Sequence, residues 1–216
     1  MSLFDQISAV VAKMSDVIPE APRKTILDTK VAFEESFDHS AAIQPGQALP
    51  GFTLPNAVCE VVSSADLLAA GPLLITFYRG SWCPFCNLAV ASLQKHLDQF
   101  KARGVSLVAI TPELPDFSLS MTEKHNLQFH VLTDADNKYA EALGLLWRMP
   151  DALRLVFESA GKDLKVHHGN DEFSVPVPAT ILVDKAGVVR QAFVEPDYMK
   201  RAEPQAILGW IDALEE

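Results

Sequence analysis

Leu3, Ile7, Val10 and Met14 recur at the three- and four-residue spacing of an amphipathic helix, with Phe4 and Val11 beside them. Pro19 and Pro22 break that pattern. A second helix is predicted from Arg23 to Phe37, burying Ile26, Leu27, Val31 and Phe33. Ser40 to Pro50 is polar and carries Pro and Gly, the composition of a connector. The domain boundary is therefore placed there, with an N-terminal helical extension over 1–40 and one domain over 41–216. There is no internal repeat and no low-complexity tract.

From Gly51 onward, apolar runs of strand type alternate with runs of helix type. Phe52–Leu54 and Val58–Val62 read as a short hairpin, and Leu73–Tyr78 as a strand buried on both faces. A helix from about Pro84 to Arg103, with Leu88, Leu93 and Leu97 turned inward, stops at Gly104. Val105–Ile110 is the next buried strand, Leu114–His125 a helix, Phe129–Leu132 a strand, and Asn137–Leu143 a helix ended by Gly144. Asp151–Ser159 is read as a helix, with a loop to Phe173. Thr180–Val183 and Val188–Phe193 flank Asp184-Lys185-Ala186-Gly187, the signal of an antiparallel hairpin, and Pro204–Leu214 closes the chain as a helix. A βαβ unit followed by a hairpin and a helix predicts an α/β fold, a central mixed sheet covered by helices on both faces.

Composition narrows the function classes. Hydrophobic residues make up 49% of the 216, enough for a sizeable core, and 18 basic against 28 acidic residues give a net charge of −10. With no dense basic run to offset that charge, a phosphate backbone is repelled and nucleic acid is disfavoured as a partner. No stretch of about 18 uninterrupted apolar residues exists to span a bilayer, and residues 1–16 lack the pattern of a secretory signal. A cytoplasmic protein without a membrane partner is the expectation. Three cysteines make no disulfide framework; two of them three residues apart suggest redox chemistry or a metal.

The informative segment is Phe77-Tyr78-Arg79-Gly80-Ser81-Trp82-Cys83-Pro84-Phe85-Cys86. An apolar strand ends, a short turn follows, and the cysteines open a helix. Unpaired N–H groups and the helix dipole stabilise a thiolate in the first turn. Pro84 suits that turn because its missing N–H needs no partner. Residues three apart share a helical face with Cβ atoms about 5–6 Å apart, near disulfide range. A structural zinc site would need two further ligands, and no second Cys-x-x-Cys follows. Arg79 is read either as a positive charge stabilising a thiolate or as a solvated strand end. Cys59, near the hairpin turn, is read as a semi-buried spare thiol, and His167-His168 as a solvated loop before Pro176, with a place bordering the site as the alternative.

Trp82-Cys83-Pro84-Phe85-Cys86 resembles the active site of the thioredoxin superfamily. Together with Pro178-Ala179-Thr180-Ile181-Leu182-Val183-Asp184 and Gly46-Gln47-Ala48-Leu49-Pro50-Gly51-Phe52-Thr53-Leu54, it is similar to the peroxiredoxin-like branch of the alkyl hydroperoxide reductase/thiol-specific antioxidant family. The resemblance implies a thioredoxin-like fold over about residues 45–215 and thiol-dependent antioxidant chemistry without a cofactor. It implies a hydroperoxide or protein-disulfide substrate and an external dithiol reductant such as a thioredoxin or glutathione system. Pro178 falls where thioredoxin folds carry a cis-proline facing the cysteines. The family motif Pro-x-x-x-Thr-x-x-Cys, laid on this chain, puts Arg79 at the proline, Cys83 at the threonine and Cys86 at the peroxide-attacking cysteine. The family's later arginine is absent, with Pro176, Val177 and Pro178 in its place. Spacing from Phe77-Tyr78 favours Cys86 as the attacking sulfur; helix position favours Cys83. A peroxidase, a thioredoxin-type disulfide reductase and a non-enzymatic redox sensor all fit the dithiol. The N-terminal helices are open to a packing role or to a homodimer contact.

Overall fold

The computed structural model describes residues 1–214. The chain opens with α1 (Leu3–Ala12), α2 (Met14–Val17) and α3 (Glu20–Ser36), then an antiparallel pair, β1 (Thr53–Pro55) and β2 (Val61–Ser63). There follow α4 (Ser64–Ala70), β3 (Leu73–Phe77), α5 (Pro84–Ala102), β4 (Ser106–Thr111), α6 (Pro115–His125), β5 (His130–Thr133) and α7 (Lys138–Ala142). The second half holds β6 (Leu146–Arg148), α8 (Asp151–Ser159), α9 (Leu164–His168), β7 (Ser174–Pro176), β8 (Ala179–Val183), β9 (Val189–Val194) and α10 (Pro204–Asp212).

The central sheet runs β5-β4-β3-β8-β9, with β3, β4 and β5 parallel and the β8–β9 hairpin antiparallel to β3. All five residues of β3 are buried, so both faces of the sheet are covered. The two-residue period of the strand divides the core accordingly. Leu74, Leu107 and Leu182 pack with Leu93, Leu97 and Phe100 of α5 and with Ile207, Leu208 and Ile211 of α10. Leu73, Ile75, Phe77, Val108, Ile110 and Ile181 face a larger cluster on the other side.

The N-terminal helices depart from the predicted pattern. Leu3 and Ile7 of α1 are 3% and 4% exposed and belong to the larger cluster. A capping box between Ser2 and Asp5 starts this helix, and the Glu203 carboxylate accepts hydrogen bonds from the Leu3 and Phe4 N–H groups (3.1 and 2.6 Å). By contrast, Leu27 and Val31 of α3 are exposed rather than buried; only Ile26 and Phe33 pack against the core. Phe33 stacks on Trp147 of β6 (centroids 4.5 Å apart), and the face turned to the protein is one narrow stripe.

Other expectations are also corrected. The turn before β2 is longer than the sequence suggests, because Asn56 Oδ1 accepts from the Val58 and Glu60 N–H groups and keeps Val58 out of the strand. Cys59, at φ 62°, is exposed, not semi-buried. The 160–173 stretch contains α9 and leads into β7, so His167 and His168 sit on a helix and His168 is buried. The described residues contain no cis peptide bond; Pro178 is buried in trans at the head of β8. Among the described residues, no helix is long and apolar enough to cross a membrane.

Burial of α1 predicts a measurable asymmetry. Ile7→Ala should destabilise the protein by about 2–5 kcal/mol. Phe4→Ala, at a 69% exposed position, should stay within about 0.5 kcal/mol. Urea unfolding of both variants checks this, and equal, small effects would show α1 to be a loose appendage.

Candidate active site

β3 delivers Tyr78 and Arg79 to the end of the sheet, and the Gly80–Trp82 turn leads into α5. Gly80 has φ 149°, and a Cβ there would lie 2.3 Å from Trp82 Nε1 and 3.0 Å from Glu113 Cδ, so only glycine lets these side chains close over the turn. Glu113, fully buried, accepts hydrogen bonds from the Ser81 N–H (2.7 Å) and Oγ (2.8 Å). His167 Nδ1 lies 2.8 Å from the same carboxylate. Asn87 closes the turn from the helix side, donating to the Ser81 and Cys83 carbonyls (2.7 and 2.8 Å).

Cys83 is the N-cap of α5 and Pro84 its first residue. The Cys83 Sγ accepts the Cys86 N–H (3.4 Å), one of the orphan donors of the first turn. Arg79 Nη2 donates to the same sulfur at 3.3 Å, and the Cys86 thiol lies 2.8 Å from it. Both sulfurs are buried, as is Arg79, which is therefore not a solvated strand end. A second guanidinium comes from the tail: Arg201 Nη2 is 3.4 Å from Cys86 Sγ.

This arrangement separates the two thiols electrostatically. Burial alone would raise the pKa of Cys83, but the Cys86 hydrogen bond, Arg79 and Arg201 outweigh it and hold the group well below the usual thiol range. Burial, followed by the hydrogen bond to Cys83 and its negative charge, pushes Cys86 well above that range. Burial also works against the Arg79 charge, yet the two cysteines and Tyr198 keep the guanidinium firmly protonated. Cys83 is thus the more acidic of the two thiols, with the Cys86 thiol placed to donate to it.

Of the other residues singled out in the sequence, Trp82 packs edge-on against Phe157 (centroids 5.0 Å apart) with the Arg79 guanidinium 5.2 Å from its ring. Pro178 lies one residue beyond the Phe77–Ala179 pair, and its carbonyl accepts from the Glu195 N–H (3.3 Å). Sequence reasoning gave no role at the dithiol to Tyr198, whose ring lies 3.9 Å from the Arg79 guanidinium, to Arg201 or to Glu113. All three are remote in sequence from the cysteines, and spacing alone does not tie them to the dithiol. A cavity of about 280 Å³, lined by Arg79, Trp82, Pro84, Phe157 and Tyr198 and closed by Met14 and Ile26 of the N-terminal helices, adjoins the site. Among the described residues, no cluster of three or more His, Cys, Asp or Glu side chains is arranged to hold a metal.

A thioredoxin-type sheet with a dithiol at the N-terminus of its first long crossover helix defines a thioredoxin-fold thiol protein. Comparison with known proteins makes the assignment specific: residues 45–192 match the AhpC/TSA family, and the chain belongs to it. Peroxiredoxin Bcp of Escherichia coli K12 is 26% identical over 137 residues, 61% of this chain and 87% of that protein. The putative peroxiredoxin bcp of Buchnera aphidicola is 28% identical over 103 residues, 48% of this chain and 65% of that protein, just under two thirds of its length. Peroxidoxin BcpB from Mycobacterium tuberculosis superposes with a TM-score of 0.63 at 17% identity, over 81% of this chain and 99% of that one. Reduced Prx3 from Vibrio vulnificus gives 0.62 at 21% identity, over 78% and 99%. The structural matches establish the fold.

Two pH effects follow. Arg79→Met should raise the Cys83 titration by about 1–3 units, read from thiolate absorbance or the pH dependence of alkylation; an unmoved midpoint would remove Arg79 from the site. His168 is 1% exposed, and burial, then His167, lowers its pKa to about 4. The unfolded chain binds that proton from about pH 6.5 downward. Stability should therefore be full above 6.5 and fall as pH drops towards 4, by about 3 kcal/mol at the low end. Melting curves of His168→Leu should show a shallower fall across that window.

Proposed function

We propose that this protein is a thiol peroxidase that reduces hydroperoxides through a Cys83–Cys86 dithiol–disulfide cycle. The observation that carries the reading is the Cys83 sulfur, with Arg79 at 3.3 Å and the Cys86 sulfur behind it at 2.8 Å. The Cys83 thiolate attacks the peroxide O–O bond and takes the distal oxygen, forming a sulfenic acid as the alkoxide or hydroxide leaves and picks up a proton. Cys86 then displaces hydroxide from Cys83, and the disulfide forms with loss of water. An external dithiol, such as a thioredoxin or glutathione system, reduces the disulfide and returns the chain to its starting state.

The assignment of the first attack to Cys83 runs against the motif spacing, which favours Cys86. What supports it is position: the N-cap sulfur receives the helix N–H and the Arg79 charge, whereas Cys86 is placed as a proton donor. What supports a small substrate over a protein disulfide is burial, because neither sulfur has exposed surface. The apolar lining of the adjoining cavity supports an organic hydroperoxide as substrate as well as hydrogen peroxide. We further propose that residues 1–40 act with the 41–216 domain as one unit, since Met14 and Ile26 close that cavity.

The deciding experiment is single-turnover oxidation of the reduced protein by hydrogen peroxide and by cumene hydroperoxide. Both should be consumed, with peptide mapping showing a Cys83–Cys86 disulfide within one chain and Cys59 free. Cys83→Ser should abolish consumption. Cys86→Ser should consume about one equivalent and stop as a sulfenic acid on Cys83, captured by dimedone. The reverse pattern would make Cys86 the attacking sulfur, and no consumption of either peroxide would end the peroxidase reading.

A further inference from the structure

Arg201 is not explained by the first attack. It stands in the segment between β9 and α10, 115 residues from Cys86 in sequence, yet its Nη2 is 3.4 Å from the Cys86 sulfur. Among the described residues its other hydrogen bonds go to the Tyr198 and Lys200 carbonyls, the latter at 2.6 Å, and none to an acidic side chain. The segment that carries it is pinned on both sides. Asp197 Oδ1 accepts the Met199 N–H (3.1 Å) and pairs with Lys30 of α3 (3.0 Å), and Ala202 is buried just before α10.

Cys86 needs help at one point of the cycle only. While Cys83 is a thiolate, its charge and its hydrogen bond keep the proton on Cys86. Once Cys83 carries a hydroxyl as sulfenic acid, that negative charge is gone. Cys86 must then lose its proton in a buried site before it can act as a nucleophile. The charged and titratable groups around its sulfur are Cys83 and Arg79 at the start of α5, Tyr78 at the end of β3, and Arg201 from the tail. Burial, then the Glu113 charge, keeps the Tyr78 phenol protonated. Arg79 is directed to Cys83, which leaves Arg201 as the cation in hydrogen-bond contact with Cys86.

We infer that Arg201 is a catalytic residue of the resolving half-reaction, holding Cys86 as the thiolate that attacks oxidised Cys83. The inference rests on the peroxidase reading for its place in the cycle. In that step the Cys86 thiolate bonds to the Cys83 sulfur, the S–O bond breaks, and hydroxide departs to take a solvent proton and leave as water. The two electrons that reduced the peroxide are then accounted for by the disulfide. The chain lacks the family's arginine before β8, and the tail supplies a guanidinium in its place.

The test begins without peroxide. In Cys83→Ser, the serine hydroxyl is neutral, as a sulfenic acid is, and Cys86 titrates without the like charge. Adding Arg201→Gln, which keeps N–H donors for the two carbonyls, should raise the Cys86 midpoint by about 1–3 units, read by thiolate absorbance at 240 nm. Arg201→Lys should restore part of the shift. Should Arg201→Gln not fold, Arg201→Met serves for the same titration. A midpoint equal in Arg and Gln forms would overturn the inference. In the two-cysteine protein, Arg201→Gln should slow disulfide formation at least about tenfold more than the first oxidation, one pKa unit being a tenfold loss of thiolate. Dimedone should then trap more sulfenic acid. Equal slowing of both phases would mark Arg201 as merely structural. If the unaltered protein consumes no peroxide, the peroxidase reading falls, while the Cys86 titration still stands as the measure of Arg201.

Discussion

A guanidinium and a thiolate buried side by side at the head of α5 constrain everything around them. Each is costly alone: an isolated charge in a protein interior loses several kcal/mol of hydration. Paired at 3.3 Å, with the Tyr198 ring against the outer face of Arg79 and the Cys86 N–H on the sulfur, each offsets the other's loss. Removing one partner from such a pair typically costs about 3–5 kcal/mol, because the survivor is stranded.

Holding that pair in register is the task of polar groups around the turn, the buried Glu113 first among them. Glu113, just past β4, fixes Ser81 through two bonds, and Asn87 fixes the same turn from the helix. His167 on α9 and the stacked Phe117 beside it extend the network towards α6. None of these side chains touches a sulfur, but the turn they fix sets the direction of the Arg79 and Cys83 side chains. The N-terminal helices act on the other side. Their residues Met14 and Ile26 line the apolar cavity beside Trp82 and Phe157.

The alternation of apolar runs gave all five strands of the central sheet, and α5 through α8 and α10 to within about two residues at each end. These elements read well because each buries a continuous or periodic face. Three kinds of element did not. The β6 and β7 strands are three residues each and pair across 25 intervening residues, too short for a two-residue period to show. Helix α9, at five residues, is likewise shorter than any helical period needs, and α4 went unread. In α3 the apolar residues are present, but Leu27 and Val31 face solvent, since only one side of that helix meets the protein.

By itself, the sequence determined the chemistry and the frame. The strand–turn–helix context of Cys83 and Cys86 marks a dithiol at a helix start, and Arg79 stands close enough in the chain to be weighed as its counter-charge. These are local facts, fixed by spacing and by the backbone groups a helix leaves unpaired. What the tertiary structure alone decided is what surrounds each sulfur. Glu113, Tyr198 and Arg201 arrive from 27 to 118 residues away, brought by β4 and by the tail against α5. Charge stabilisation depends on distance and burial in three dimensions, and neither is written in the order of residues along the chain.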